Sequence, residues 1–217
     1  MDAFSAKRTA DEGIELRSDR TALLVVDMVR DFCDPDGAMA LPGSERLYPI
    51  QNAMLTTARA QGAVIGWIAD RHRPGSRRER EFVKRVPHCL EGTPGAEIVP
   101  QLQREADEFL FVKRRYSAFF GTDLDITLRD NLIDTLVIFG VVTNICVRST
   151  VHDAFFNGYQ VVVPHDACAA TGPREQASSL YDIATHFGIV SDSTNVISAM
   201  EKGHFIANMP EFETTTN

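Results

Sequence analysis

The sixteen residues Leu136 to Val151 (Leu-Val-Ile-Phe-Gly-Val-Val-Thr-Asn-Ile-Cys-Val-Arg-Ser-Thr-Val) constrain the fold more than any other stretch. Leu136 to Phe139 form a continuous apolar run closed by Gly140, the pattern of a strand buried on both faces. A helix follows, because apolar residues recur at Val147, Val151, Ala154 and Phe155 and Gly158 supplies a stop. Cys146 then sits where the strand ends and the helix begins. Unpaired N–H groups and the positive end of the helix dipole surround its sulfur there, a setting that favours a thiolate. The amides of Cys146 and of the preceding turn could hold a developing oxyanion. The plain alternative is a small buried hydrophobe capping a helix.

Further runs of the same kind are Ala22–Val26, Val64–Ile68, Phe109–Val112, Tyr159–Val163 and Gly188–Val190. Helical apolar spacing marks Tyr48–Gln61, Leu124–Asn131 and Arg174–Phe187 between them. Strands alternating with helices predict a single three-layer αβα domain with a mostly parallel sheet of about six strands. The polar residues 1–20 read as a loose lead-in, and residues 21–217 as the domain.

In such a sheet sites form at the carboxyl ends of strands. Asp27, Asp70, Lys113 and Cys146 each follow a predicted strand, as does His165, so at least four reactive side chains should share one edge. Lys113 would favour a Cys146 thiolate by charge. Asp27 could take the thiol proton and later deliver it to a leaving nitrogen. An ordinary aspartate is about four to five pH units more acidic than a thiol, so this transfer needs a desolvated carboxylate or a stabilised thiolate. Taken singly, Asp27 can also be a loop cap and Lys113 a solvated charge.

Three segments carry a resemblance: Leu23-Leu-Val-Val-Asp27-Met-Val-Arg-Asp-Phe32, Val112-Lys113-Arg-Arg-Tyr-Ser-Ala-Phe119 and Gly140-Val-Val-Thr-Asn-Ile-Cys146-Val147. Together they resemble the signatures of the isochorismatase-like cysteine hydrolase superfamily, over about Asp19 to Val196. The resemblance implies an Asp27-Lys113-Cys146 triad, a cis peptide joining Val141 and Val142, and an oxyanion hole from the amides of Val142 and Cys146. It also implies a homo-oligomer, a dimer or tetramer. Isochorismatase itself cleaves a vinyl ether and does not need the cysteine, so the presence of Cys146 favours the amidase branch. The expected activity is a cysteine-dependent amidohydrolase cleaving a C–N bond of a small amide, ureide or carbamoyl compound through a thioester. Open alternatives are a nicotinamidase-like amidase, vinyl-ether cleavage and a non-catalytic binder.

The nicotinamidase pattern uses Asp-x-His and later histidines for a metal. Asp70, His72 and His88 resemble part of it, but Arg77-Arg78-Glu79-Arg80 stands where another histidine is expected. The expectation is therefore no metal and no cofactor, with His72 and His88 pinning a lid. From Arg71 to His88 seven basic residues face only Glu79 and Glu81, which suits either a substrate carboxylate or a solvated face. Phe32, Tyr116, Phe119, Asn144 and His186 are further candidates for contact with a small-molecule substrate.

Four scattered cysteines suggest neither a zinc site nor a disulfide framework. A net charge of −8 argues against nucleic acid, and no G-x-G-x-x-G follows the first strand. Without a membrane-length apolar run or a signal-peptide core, the expected location is cytoplasmic.

Overall fold

All six apolar runs form strands of one sheet in the computed structural model, which describes residues 13–209. The elements in order are β1 (Ile14–Glu15), β2 (Thr21–Val26), α1 (Arg30–Cys33), α2 (Leu47–Gln61), β3 (Val64–Asp70), β4 (Phe109–Lys113), α3 (Leu124–Asp130) and β5 (Thr135–Val141). Then come α4 (Arg148–Phe156), β6 (Gln160–Pro164), β7 (Cys168–Ala169), α5 (Pro173–Asp182), β8 (Ile189–Ser191), α6 (Ser193–Lys202) and β9 (Phe205–Ile206).

The sheet runs β4-β3-β2-β5-β6-β8 with every neighbouring pair parallel, and short β7 joins β5 as a seventh strand. Every residue of β2 and β5 is buried, as expected for strands covered on both faces. Helix α2 packs on α6, whereas α4 packs on β6 and on the π turn after α5. Strand order reverses direction between β2 and β5, which opens a crevice at their carboxyl ends. Val26 is the register partner of Gly140 there. Gly140 has φ 127°, and a Cβ on it would lie 2.1 Å from the Val26 carbonyl oxygen, so only glycine allows this approach.

Three features differ from the expectation. The lead-in is tied down from residue 14 onward: β1 pairs antiparallel with β9, Leu16 is buried, and Arg20 bonds Asp134 at 2.7 Å. The alternation of Ile14 and Leu16 was masked by polar neighbours. The first twelve residues and those after Met209 lie outside the described part. Helix α6 was not anticipated, although its signals are present. The Asp192 carboxylate accepts from Asn195 N at 2.7 Å, Val196, Ala199 and Met200 are buried at helical spacing, and Gly203 closes the helix at φ 66°. Two-residue β7 is too short for any run to announce. Among the described residues no helix is long and apolar enough to cross a membrane.

Candidate active site

Strand β2 delivers Asp27, whose N–H donates to the Ile68 carbonyl at 2.9 Å. Asp70 and Lys113 end β3 and β4 as register partners. Cys146 lies in a π turn, Thr143–Val147, that leads from β5 into α4. These four strand ends converge on one ammonium group. Lys113 Nζ lies 2.9 Å from Asp27 Oδ2, 3.2 Å from Asp70 Oδ1 and 3.7 Å from Cys146 Sγ, and the lysine is fully buried.

Burial and neighbouring charge set the protonation of this cluster. Burial raises the Asp27 carboxyl to about 6; Lys113 opposes the rise and the Asp70 charge adds to it. Burial also works against ionising Asp70, but Lys113, His72 and His88 outweigh it and hold that carboxylate well below the usual range. For Lys113 the desolvation cost is overcome by Asp27, Cys146 and Asp70, so its ammonium is held firmly. Burial raises the Cys146 thiol, Lys113 lowers it, and Asp27 and Asp70 push it up again, leaving it well above its usual value. This corrects the expectation of a resting thiolate. The helix start and Lys113 are present, but Cys146 is only 5 % exposed and its thiol is pushed up by Asp27 and Asp70.

Cys146 opens onto a cavity of about 460 Å³. Phe32, Tyr116 and Val142 line it, together with Leu41, Ile145 and Thr171. The peptide joining Val141 and Val142 is cis. Asn144 is not on the wall; its side-chain amide donates to Thr171 Oγ1 at 3.1 Å and its carbonyl accepts from Thr171 N, so it positions a wall residue. Phe119 packs against Tyr159, His186 is exposed in the turn after α5, and His165 begins a turn beyond β6; none of the three lines the cavity.

Two acidic residues were not anticipated. Asp31 Oδ2 accepts from Cys89 N at 2.6 Å, and Gly95 packs so tightly on this carboxylate that a Cβ would lie 2.2 Å from Oδ1. Asp31 thus ties the loop after β2 to the lid after β3. Glu81 is buried in the cavity wall and carries an oxygen, Oε1, without a hydrogen-bond partner. Its position within a basic run hid it: the sequence shows an exposed-looking charge cluster, whereas the fold turns this carboxylate inward.

Glu81 also changes the metal question. One ligand atom each from Asp70, His72, Glu81 and His88 lie within 4.8 Å of one another, all buried. His72 Nε2 is 3.1 Å from Asp70 Oδ2 and 3.8 Å from Glu81 Oε2, and His88 Nε2 is 3.5 Å from Asp70 Oδ2. Two imidazoles, two carboxylates and the unpartnered Glu81 Oε1 suit a divalent cation such as zinc, with Glu81 filling the place that a further histidine was expected to take. The basic run does not oppose this as strongly as its composition suggests, because Arg73, Arg77, Arg78, Arg80, Lys84 and Arg85 are exposed to solvent and Arg71 reaches Glu97 at 3.7 Å.

Residues 21–195 match the family model described as the isochorismatase domain. The ureidoacrylate amidohydrolase of Acinetobacter baylyi is 33% identical over 220 residues, covering 90% of each chain. A probable inactive nicotinamidase of Arabidopsis thaliana is 36% identical over 171 residues, covering 75% of this chain and 87% of its own. Among solved structures, a cysteine hydrolase from Pseudomonas syringae pv. phaseolicola superposes with a TM-score of 0.82 at 29% identity, covering 88% of this chain and 97% of that one.

Proposed function

The chain belongs to the isochorismatase family, and we propose that it is a cysteine-dependent amidohydrolase releasing nitrogen from a small amide or ureide. The observation that carries this reading is the single buried ammonium of Lys113 shared by Asp27 and the Cys146 sulfur beneath an apolar cavity. The amidohydrolase relative supports the C–N bond as the target.

At neutral pH Asp27, raised to about 6, is mostly ionised yet a better base than an ordinary aspartate. It takes the Cys146 proton as the sulfur attacks, and Lys113 stabilises the sulfur charge as it forms. The C–S bond forms while the carbonyl electron pair moves to oxygen, which the amides of Val142 and Cys146 hold. Collapse breaks the C–N bond, and Asp27 returns the proton to the departing nitrogen. Water, deprotonated by Asp27, then hydrolyses the thioester and restores the thiol.

The cluster of Asp70, His72, Glu81 and His88 favours a second reading, a nicotinamidase-like amidase. When bound by those residues, a divalent ion would supply a Lewis acid for the substrate carbonyl. The proposed assembly is a dimer or tetramer, and the proposed location is the cytoplasm.

Ammonia release should be measured for nicotinamide, biuret, triuret, ureidoacrylate, carbamoylsarcosine and maleamate with native protein and Cys146→Ala. The expected outcome is release from at least one compound, reduced by about 10⁴-fold or more in the variant. Retained ammonia release by Cys146→Ala would overturn the thioester route and favour direct attack of water on the substrate carbonyl. Silence of the folded native protein across the panel would favour a binding role.

A further inference from the structure

Of the seven basic residues between Arg71 and His88, only Arg85 lines the cavity over Cys146. Arg71 reaches Glu97 at 3.7 Å on an outer groove, while Arg73, Arg77, Arg78, Arg80 and Lys84 are exposed away from the cavity wall. Neighbouring cations from the loop after β4 are already neutralised, Arg114 by Glu91 and Arg115 by Glu79. Arg85 has no carboxylate partner among the described residues. Its Nη1 donates to the Lys84 carbonyl at 2.8 Å, which leaves the other donors of its planar fork free.

The charges of the cavity are ordered. Asp70 and Glu81 belong to the buried cluster around Lys113 and His72, whereas Arg85 lines the same cavity as Tyr116 but is exposed, which puts it at the rim. A substrate anion directed inward would meet two carboxylates. The same anion at the rim would meet an unpaired guanidinium.

We propose that Arg85 is the specificity residue of this site and selects amides that carry a carboxylate at the end remote from the scissile bond. This rests on the amidohydrolase reading and narrows its substrate class to short amido or ureido acids. The amide enters toward Cys146, its apolar linker lies along Phe32 and Ile145, and the carboxylate pairs with the Arg85 fork. A single unpaired guanidinium in the cavity suits a monoanion; a phosphate dianion would need further donors. The local basic excess also serves approach, since the whole chain carries a charge of −8 and would otherwise repel such a substrate.

Two matched pairs test this: succinamate and N-carbamoylglycine, each against its methyl ester. Binding is measured calorimetrically to Cys146→Ala, with and without Arg85→Gln, and turnover is measured with native protein and Arg85→Gln. Arg85 is exposed, so its replacement leaves the core intact. The expected result is binding of the acids about 10- to 100-fold tighter than the esters, abolished by Arg85→Gln and weakened by added salt. In turnover the loss should fall on KM. Equal binding of acid and ester, or an acid preference that survives Arg85→Gln, would overturn the proposal. Acid-selective binding without ammonia release by native protein would instead overturn the cleavage reading and leave the anion site standing.

Discussion

At the scale of single residues, the proposed chemistry rests on a buried carboxylate made more basic than usual beside a thiol that is held protonated at rest. Burial lifts Asp27 to about 6, and Lys113 stands ready to stabilise the sulfur once its proton has moved. Asp27 must be ionised to accept that proton. The value of kcat/KM should therefore rise with pH through about 6 and level off above it, which a pH–rate profile on any accepted substrate would check. Asp27→Asn separates base from electrostatics. Turnover should fall about 10²- to 10⁴-fold, the usual contribution of a positioned base. Yet the thiol of Cys146 should titrate at lower pH, because a carboxylate that raises it has gone. The pH dependence of iodoacetamide labelling at Cys146 reads this directly; an unchanged or higher midpoint would mean that Asp27 does not control the sulfur. Cys33 and Cys168 make suitable slow references, since burial pushes each to about 12.

At the scale of elements, the decisive placement is the close passage of β5 over the end of β2. Gly140→Ala would set a Cβ against the Val26 carbonyl at positive φ, costing about 2–4 kcal/mol and moving Cys146 relative to Asp27. Thermal unfolding should show a fall of roughly 5–15 °C for a domain of this size, together with lost turnover. Gly158→Ala is the control, because φ is 87° there but nothing lies within 4 Å of the added Cβ; about 1 kcal/mol is expected, with turnover retained. The strands were legible because double-sided burial writes itself as continuous apolar runs, as in β2 and β5. Helix α6 was not read, although Asp192 and Gly203 bracket it. Its ten residues include only Val196, Ile197, Ala199 and Met200 as apolar signal, and the preceding short strand already looked like an end.

At the scale of the whole molecule, the grouping of Asp27, Lys113 and Cys146 was more legible in the chain than the lining of the cavity. Asp27, Lys113 and Cys146 come together because parallel strands in register carry their ends to one edge, a rule that needs no knowledge of loops. The inward turn of Glu81, the retreat of Phe119 and His186 from the cavity, and the rim position of Arg85 depend on loop paths that no periodicity encodes. The proposed homo-oligomer is checked by sedimentation equilibrium, which should give two or four times the 24.1 kDa chain mass; a single chain mass would reject it. Phe156 on α4 is 69 % exposed and Tyr181 on α5 is 43 % exposed, apolar surface of the kind that association covers.

The Asp31 clamp bears on how such a molecule could be diversified. Its carboxylate holds the Cys89 amide, Gly95 is pressed against it, and Gly37 lies so close that a Cβ would be 2.5 Å from the Asp31 carbonyl. The loop after β2 and the lid after β3 are consequently one structural unit, separated in sequence but keyed to each other. A chimera that transplants the lid alone would bring a mismatched key, whereas exchanging both loops with Asp31, Gly37 and Gly95 would recut the pocket and leave the strand ends that carry Lys113 and Cys146 where they stand.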